Sequence, residues 1–330
     1  MKKSLGIILA FAAIIAFAIT GCKKDDNDPK KEPYSNLSDT KTTEIKVTIP
    51  RIEKSQTQNK GIIVYISVTD QDGEVLTNFN QYNFLLSHLC EGADTIKVER
   101  LVITPVDQTR SDVAAAITMD YSGSMSYSDI QNMESAVKQF IRLKEPADYM
   151  QIIKFASSVM TMNEDFSNDT TVLIEAVDQY ASIGYMTAYF DAVMRGLENA
   201  DDFTKVNTSV LPAVLAFTDG YENVSSTTLS QLIEKSLLTQ IPIYTIGFGN
   251  VDVNTMNLMA DTTGGRYFYT PTSDQVEELY NTISGQLRSI YSMSWEYVTI
   301  TCDEIIIVVK VQYENANGLL TATVSRRFRL

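Results

Sequence analysis

The feature that most restricts this chain is an alternation that runs from residue 111 to about residue 292. Apolar runs of strand length, at 113–119, 150–155, 210–217 and 241–248, are separated by stretches with helical periodicity. Runs without a polar alternation are what strands covered on both faces require. Between them, Ile130, Met133, Val137, Phe140 and Ile141 share one helix face, and Val276, Leu279, Tyr280, Ile283, Leu287 and Ile290 share another. Ser128 with Gln131, and Thr272 with Gln275, stand at capping-box spacing ahead of those faces. The pattern predicts an α/β domain over 111–292, a doubly wound and mainly parallel sheet with helices on both sides.

The flanks read differently. Residues 43–110 alternate in the manner of exposed-face strands, as at 45–49 and 62–68, with a hairpin-like turn at Asp70-Gln71-Asp72-Gly73-Glu74. Residues 293–330 contain two β-rich runs, 305–313 and 319–330, joined by a segment ending in Asn317-Gly318, which suits a tight turn. Both flanks are expected to build one small antiparallel β-sandwich with the α/β domain inserted. Two separate β units are the competing arrangement. Cys90 and Cys302 fall in opposite flanks, so a disulfide and a pair of buried free thiols both stand open. His88 is expected to pack in a core, and Tyr291, Trp295 and Tyr297 where the domains meet.

Residues 1–22 carry a leader. Lys2 and Lys3 precede an apolar stretch at 5–19, too short to span a membrane comfortably. The stretch closes on Ile19-Thr20-Gly21-Cys22, which resembles a bacterial lipobox and implies acylation of Cys22. Residues 23–42, with almost no apolar content, are expected to form a flexible tether. The run Lys23-Lys24-Asp25-Asp26-Asn27-Asp28 resembles the charged segment that sends some outer-membrane lipoproteins to the cell surface. The expected location is therefore the envelope of a bacterium, at the outer membrane, with the lipid as the membrane contact; the cell surface and the periplasm both stand open as the side it faces.

Composition narrows the chemistry. With 27 Lys+Arg against 41 Asp+Glu, the formal charge is −14, which excludes a nucleic-acid backbone as a natural partner. The single histidine removes multi-His zinc sites and most His-based catalysis. Oxygen-ligand metal chemistry, carboxylate chemistry and plain binding survive.

In an open α/β sheet the ligand site lies beyond the carboxyl ends of the strands. There this chain has Asp120-Tyr121-Ser122-Gly123-Ser124 and Thr218-Asp219-Gly220, with Thr187 at the head of an amphipathic helix between them. This set resembles the metal-ion-dependent adhesion site of the von Willebrand factor type A domain. The family's Asp-x-Ser-x-Ser falls on Asp120, Ser122 and Ser124, its lone threonine on Thr187 and its second aspartate on Asp219. Many members carry Gly-Gly before the threonine, whereas this chain has Gly184-Tyr185-Met186. The resemblance implies that the five residues hold Mg2+, with Mn2+ as a substitute, and that a protein partner supplies an Asp or Glu carboxylate to the metal. The physical reading agrees, because neutral hydroxyls leave the charge of a hard cation unsaturated. Tyr121, Tyr185 and Tyr221 are candidates for the rim that a partner touches. Asp129 and Asp191 read as helix N-terminal and exposed-face residues, and Asn223 as a loop-shaping one.

The function expected from these features is adhesion or protein–protein binding, without enzymatic activity. An envelope assembly or chaperone-like lipoprotein is the alternative. A metal-dependent hydrolase fits less well, since an aspartyl-phosphate enzyme wants a second aspartate where Ser122 stands. Gly-x-Ser-x-Gly and Gly-x-x-x-x-Gly-Lys are also absent from the sequence.

Overall fold

A computed structural model describes residues 32–54, 61–90, 95–98, 101–105, 112–181, 183–208, 210–219, 221–249, 251–269, 275–288, 291–295 and 302–330. The leader with Cys22, together with Gly220, Thr272, Ile290 and Tyr297, lies outside the described residues.

The N-terminal flank gives strands β1 (Ser35–Asn36), β2 (Ile45–Lys54), β3 (Ile62–Asp70), β4 (Phe84–Cys90), β5 (Ile96–Lys97) and β6 (Leu101–Pro105). The central segment gives β7 (Val113–Asp120), α1 (Tyr127–Leu143), β8 (Tyr149–Phe155), β9 (Val159–Thr161), α2 (Thr170–Asp178), α3 (Tyr189–Val206), β10 (Leu211–Thr218), α4 (Leu229–Thr239), β11 (Ile243–Gly247), α5 (Val253–Thr263), β12 (Tyr267–Tyr269) and α6 (Val276–Arg288). The C-terminal flank closes the chain with β13 (Tyr291–Trp295), β14 (Glu304–Asn315) and β15 (Gly318–Arg329).

The central sheet runs β12-β11-β10-β7-β8-β9, parallel throughout except for the antiparallel edge strand β9. Alternation along β7 sends Val113, Ala115, Ile117 and Met119 into one core with α1, α2 and α6. Ala114 and Ala116 pack on the other face against α3, with Leu232 of α4 and Met259 of α5 in the same core. Helices on both faces explain why every residue of β7 is buried, and hence why that strand carries no polar alternation. The cap of α1 lies two residues before the expected one. Ser126, in extended conformation, accepts from the Asp129 backbone N–H, and the Asp129 carboxylate answers the Ser126 N–H, so Ser126–Asp129 forms the capping box rather than Ser128–Gln131.

The two flanks share a core. One antiparallel sheet, β2-β3-β13-β6, faces a second in which β14 pairs with β4 and β15, and their inner side chains form one apolar cluster. Cys90 and Cys302 are joined in a disulfide there, with 6.1 Å between Cα atoms. Tyr291 and Trp295 lie inside this sandwich core rather than at a domain boundary. Both point inward on β13, where the Tyr291 hydroxyl accepts from the Phe79 N–H and Trp295 stacks on His88. Residues 34–39, which the sequence places in the tether, are packed onto the sandwich. Tyr34 bonds through its backbone to the buried Asn83 side chain, β1 pairs with the end of β14, and Tyr313 donates to Asp39. At the seam with the α/β layer, buried Arg326 of β15 donates to the Ile49 carbonyl beside Gly264, whose φ of +83° caps α5.

Candidate functional site

The carboxyl end of β7 places Asp120 beside the end of β10, with Met119 opposite Phe217 in the parallel register. Asp120 is fully buried. Its Oδ1 accepts from the Ser122 N–H at 2.8 Å and its Oδ2 from the Thr218 hydroxyl at 2.6 Å. Burial pushes its pKa up to about 6; the bonds from Thr218 and Ser122 pull against that rise, and the nearby Asp219 charge adds to it.

From Asp120 the hydroxyls continue outward as a chain. Ser122 Oγ lies 3.0 Å from Ser124 Oγ, and Ser124 Oγ donates to Asp219 Oδ1 at 2.8 Å. Burial also raises the pKa of Asp219, against the Ser124 bond. Asp120, Ser122, Ser124 and Asp219 are thus brought together by direct contact or through one shared hydroxyl. Thr187 joins the same face from the loop before α3. It is buried, its N–H donates to Asn223 Oδ1 at 2.9 Å, and its carbonyl accepts from the Asn223 N–H at 3.1 Å. Asn223 therefore ties the Thr187 loop to the loop that carries Asp219.

The Gly184-Tyr185-Met186 segment has its own support. Gly184 sits at φ +92°, and Ser157 Oγ accepts from the Tyr185 and Met186 N–H groups at 2.9 and 2.7 Å. The Tyr185 carbonyl accepts from the Gly123 N–H at 2.8 Å. Its ring lies directly on Gly123, since a Cβ at that glycine would sit 2.0 Å from Tyr185 Cζ. Here the glycine is required by close approach rather than by its own dihedral.

Of the three candidate rim tyrosines, Tyr185 and Tyr221 are exposed and Tyr121 is not a rim residue. Tyr121 follows Asp120 in the strand direction and so turns to the opposite face, where it packs against the α1 core, donates to Glu134 at 2.9 Å and carries Lys154 Nζ 4.6 Å from its ring centroid. Asp191 is more than an exposed-face residue: it accepts from the Ser226 and Thr227 N–H groups and pins the loop leading to α4. Burial works against ionisation of Asp191, but those bonds hold its carboxyl below the ordinary range.

Sequence reading missed Thr218, Ser157 and Glu222. Glu222 accepts from the N–H groups of Phe190, Val224 and Ser225, fixing the loop after Asp219 against the head of α3. The signal for Thr218 was its position at the strand end beside Asp219. Ser157 carried no signal, because its partners are the backbone groups of Tyr185 and Met186, distant in the chain; for Glu222 the distant partner is the Phe190 N–H, while Val224 and Ser225 are local.

Among the described residues, no group of three His, Cys, Asp or Glu side chains gathers to hold a metal. The donors at this face are hydroxyls with two carboxylates, all oxygen, which fits a hard divalent cation rather than a soft one. Both carboxylates are pushed toward their neutral forms by burial, and a cation between them would favour the ionised forms instead.

The model of the von Willebrand factor type A domain family matches residues 116–282. Inter-alpha-trypsin inhibitor heavy chain H1 of Sus scrofa is 21% identical over 197 residues, covering 56% of this chain and 22% of that protein. Heavy chain H3 of Mesocricetus auratus is 25% identical over 152 residues, covering 43% and 17%. The chain thus spans less than a quarter of the length of these curated relatives. Among solved structures, a von Willebrand factor type A protein from Catenulispora acidiphila aligns over 92% of this chain and 75% of its own, with a TM-score of 0.48 and 10% identity.

Proposed function

Because the chain belongs to the von Willebrand factor type A domain family, we propose that it is a lipid-anchored cell-envelope protein that grips a protein partner through a divalent cation, Mg2+ or Mn2+. The observation that carries this reading is the continuous line of oxygen donors from buried Asp120 through Ser122 and Ser124 to Asp219 at the ends of β7 and β10. Asp120, Ser122, Ser124, Thr187 and Asp219 would hold the ion. When bound, it supplies an electrophilic position for an Asp or Glu carboxylate of the partner, because the hydroxyl donors leave its charge unsaturated.

The chain's own residues do the positioning. Thr218 and the Ser122 N–H orient the Asp120 carboxylate from behind. Asn223 and Glu222 fix the Thr187 and Asp219 loops against each other, so the donors are assembled before any partner arrives. In this reading Cys22 carries the anchor. None of the described helices is long and apolar enough to cross a membrane. The site serves binding, not turnover.

Calorimetric titration of the purified protein with Mg2+ and Mn2+ tests the proposal. One ion is expected to bind the wild type and none the Asp120→Ala variant. A wild type that takes up neither metal, even with a carboxylate present, removes it.

A further inference from the structure

Each of the segments that brings oxygen donors to the site also carries a large exposed apolar side chain. Tyr127 follows Ser124 by one turn at the start of α1, Tyr185 and Met186 precede Thr187, and Tyr221 and Val224 follow Asp219. They are 77%, 73%, 46%, 53% and 44% exposed. Tyr127 accepts from the Gln131 amide at 3.1 Å and the Tyr185 ring rests by one face on Gly123, but each of the three tyrosines leaves more than half of its surface to solvent. The loops that hold them are nevertheless fixed, by Ser157 under Tyr185–Met186 and by Asn223 and Glu222 beside Tyr221. The result is a set of exposed amphipathic aromatics on the loops that carry the oxygen donors, with Tyr185 seated against the donor line itself. Tyrosine is the side chain that contributes most contact area for least ordering entropy at protein interfaces.

Charge decides what the ring can accept. The chain carries −14, and Asp129, Asp191 and Glu222 add carboxylates close to the site. A partner segment dense in acidic groups is repelled by this field. One carboxylate for the centre, with apolar neighbours for the rim, is not.

We infer that the rim built on Tyr185 and Tyr221 selects an extended partner segment in which a single Glu or Asp is flanked on both sides by apolar side chains. Tyr185 is the central element, because its ring is seated on Gly123 between the two serines of the donor line and turns its remaining surface to solvent. The inference rests on the cation reading above and adds the chemistry of the partner to it.

The test uses the purified protein in Mg2+ and three synthetic peptides. One carries Glu between glycines, one carries Glu between Phe and Leu, and the third replaces that Glu by Gln. Fluorescence polarisation is expected to show the Phe- and Leu-flanked Glu peptide binding about tenfold tighter than the glycine-flanked one, and the Gln peptide not binding. The combined Tyr185→Ser and Tyr221→Ser variant is expected to cancel that ratio, and its magnesium titration, run beside the peptide measurement, reads separately any change in the donor loop on which Tyr185 is seated. Equal affinity for the two Glu peptides, or a ratio that survives in the variant, overturns the inference. Magnesium uptake with no peptide binding overturns the rim while the cation site stands. No magnesium uptake removes the earlier reading and this one with it.

Discussion

Thr218, at the end of β10, donates a 2.6 Å hydrogen bond to the carboxylate of Asp120 on the neighbouring strand, and the acceptor is fully buried. A donor to a buried carboxylate is worth more than an ordinary hydrogen bond, because its loss leaves charge facing a wall of low polarity. Thr218→Val keeps the shape and removes the donor. It is expected to cost about 1.5–3 kcal/mol in urea unfolding at pH 7.5 without divalent metal. Thr218→Ser should recover most of the loss. Equal stability of the Val variant and the wild type would show that the bond contributes nothing.

A second buried charge holds the far side of the sheet. Arg288, in the last turn of α6, reaches both oxygens of Asp148 at 2.7 and 2.9 Å, and Asp148 Oδ1 also accepts from the Val113 N–H where β7 begins. Their side chains are 13% and 2% exposed. Arg288→Met strands a buried carboxylate and is expected to destabilise by about 3–5 kcal/mol, whereas Arg288→Met with Asp148→Leu should cost less than the sum of the two single changes. A double-mutant cycle by denaturant unfolding reads the coupling; strict additivity would mean the pair is inert.

How far these features were readable from sequence depends on the range of the interaction involved. Strands such as β7 and β10 were legible because burial on both faces leaves a continuous apolar run, and α1 and α6 because each buries one face at helical spacing. The strands β9 and β12, three residues each, carry too few side chains to set a period. The donor set at 120, 122 and 124 was legible as a local motif. Thr218 was legible only as a strand-end position beside Asp219; its bond to Asp120 follows from the parallel register with β7, which no local pattern records. Tyr121 was misplaced for a simpler reason: strand alternation sends it away from the side of Asp120, and the loop reading overrode that rule. Ser126 and Ser128 both stand three residues before an acceptor side chain, so spacing alone did not choose the cap.

The Cys90–Cys302 bridge links β4 to the segment ahead of β14 across a sequence separation of 212 residues. Closing so long a loop restricts the unfolded chain, for which about 2–5 kcal/mol is the customary contribution. Cys90→Ser with Cys302→Ser is expected to lower the unfolding midpoint, and mass spectrometry after alkylation of the native protein should show neither thiol labelled until reductant is added. Labelling of both cysteines without reductant would exclude the bridge.

His88 is 2% exposed, lies on β4 against Trp295, and its Nδ1 has no hydrogen-bond partner among the described residues. Burial lowers its pKa, so the folded protein holds the ring neutral at pH values where the unfolded chain already protonates it. The sign follows from proton counting. Above about pH 6.5 neither state binds the proton and the full stability is present. As the pH falls below that value, the unfolded state takes up the proton first and stability is lost down to the depressed pKa of the folded form. The raised pKa of Asp120 acts in the opposite sense, relieving a cost as pH falls through about 6, so the slope of the wild type alone does not isolate the histidine. The difference between wild type and His88→Phe does, because the phenyl ring keeps the contact with Trp295 and cannot titrate. Denaturant unfolding from pH 8 to pH 5 is expected to show the wild type losing stability relative to the variant below about pH 6.5. Parallel curves across that range would mean that His88 protonates as readily in the fold as outside it.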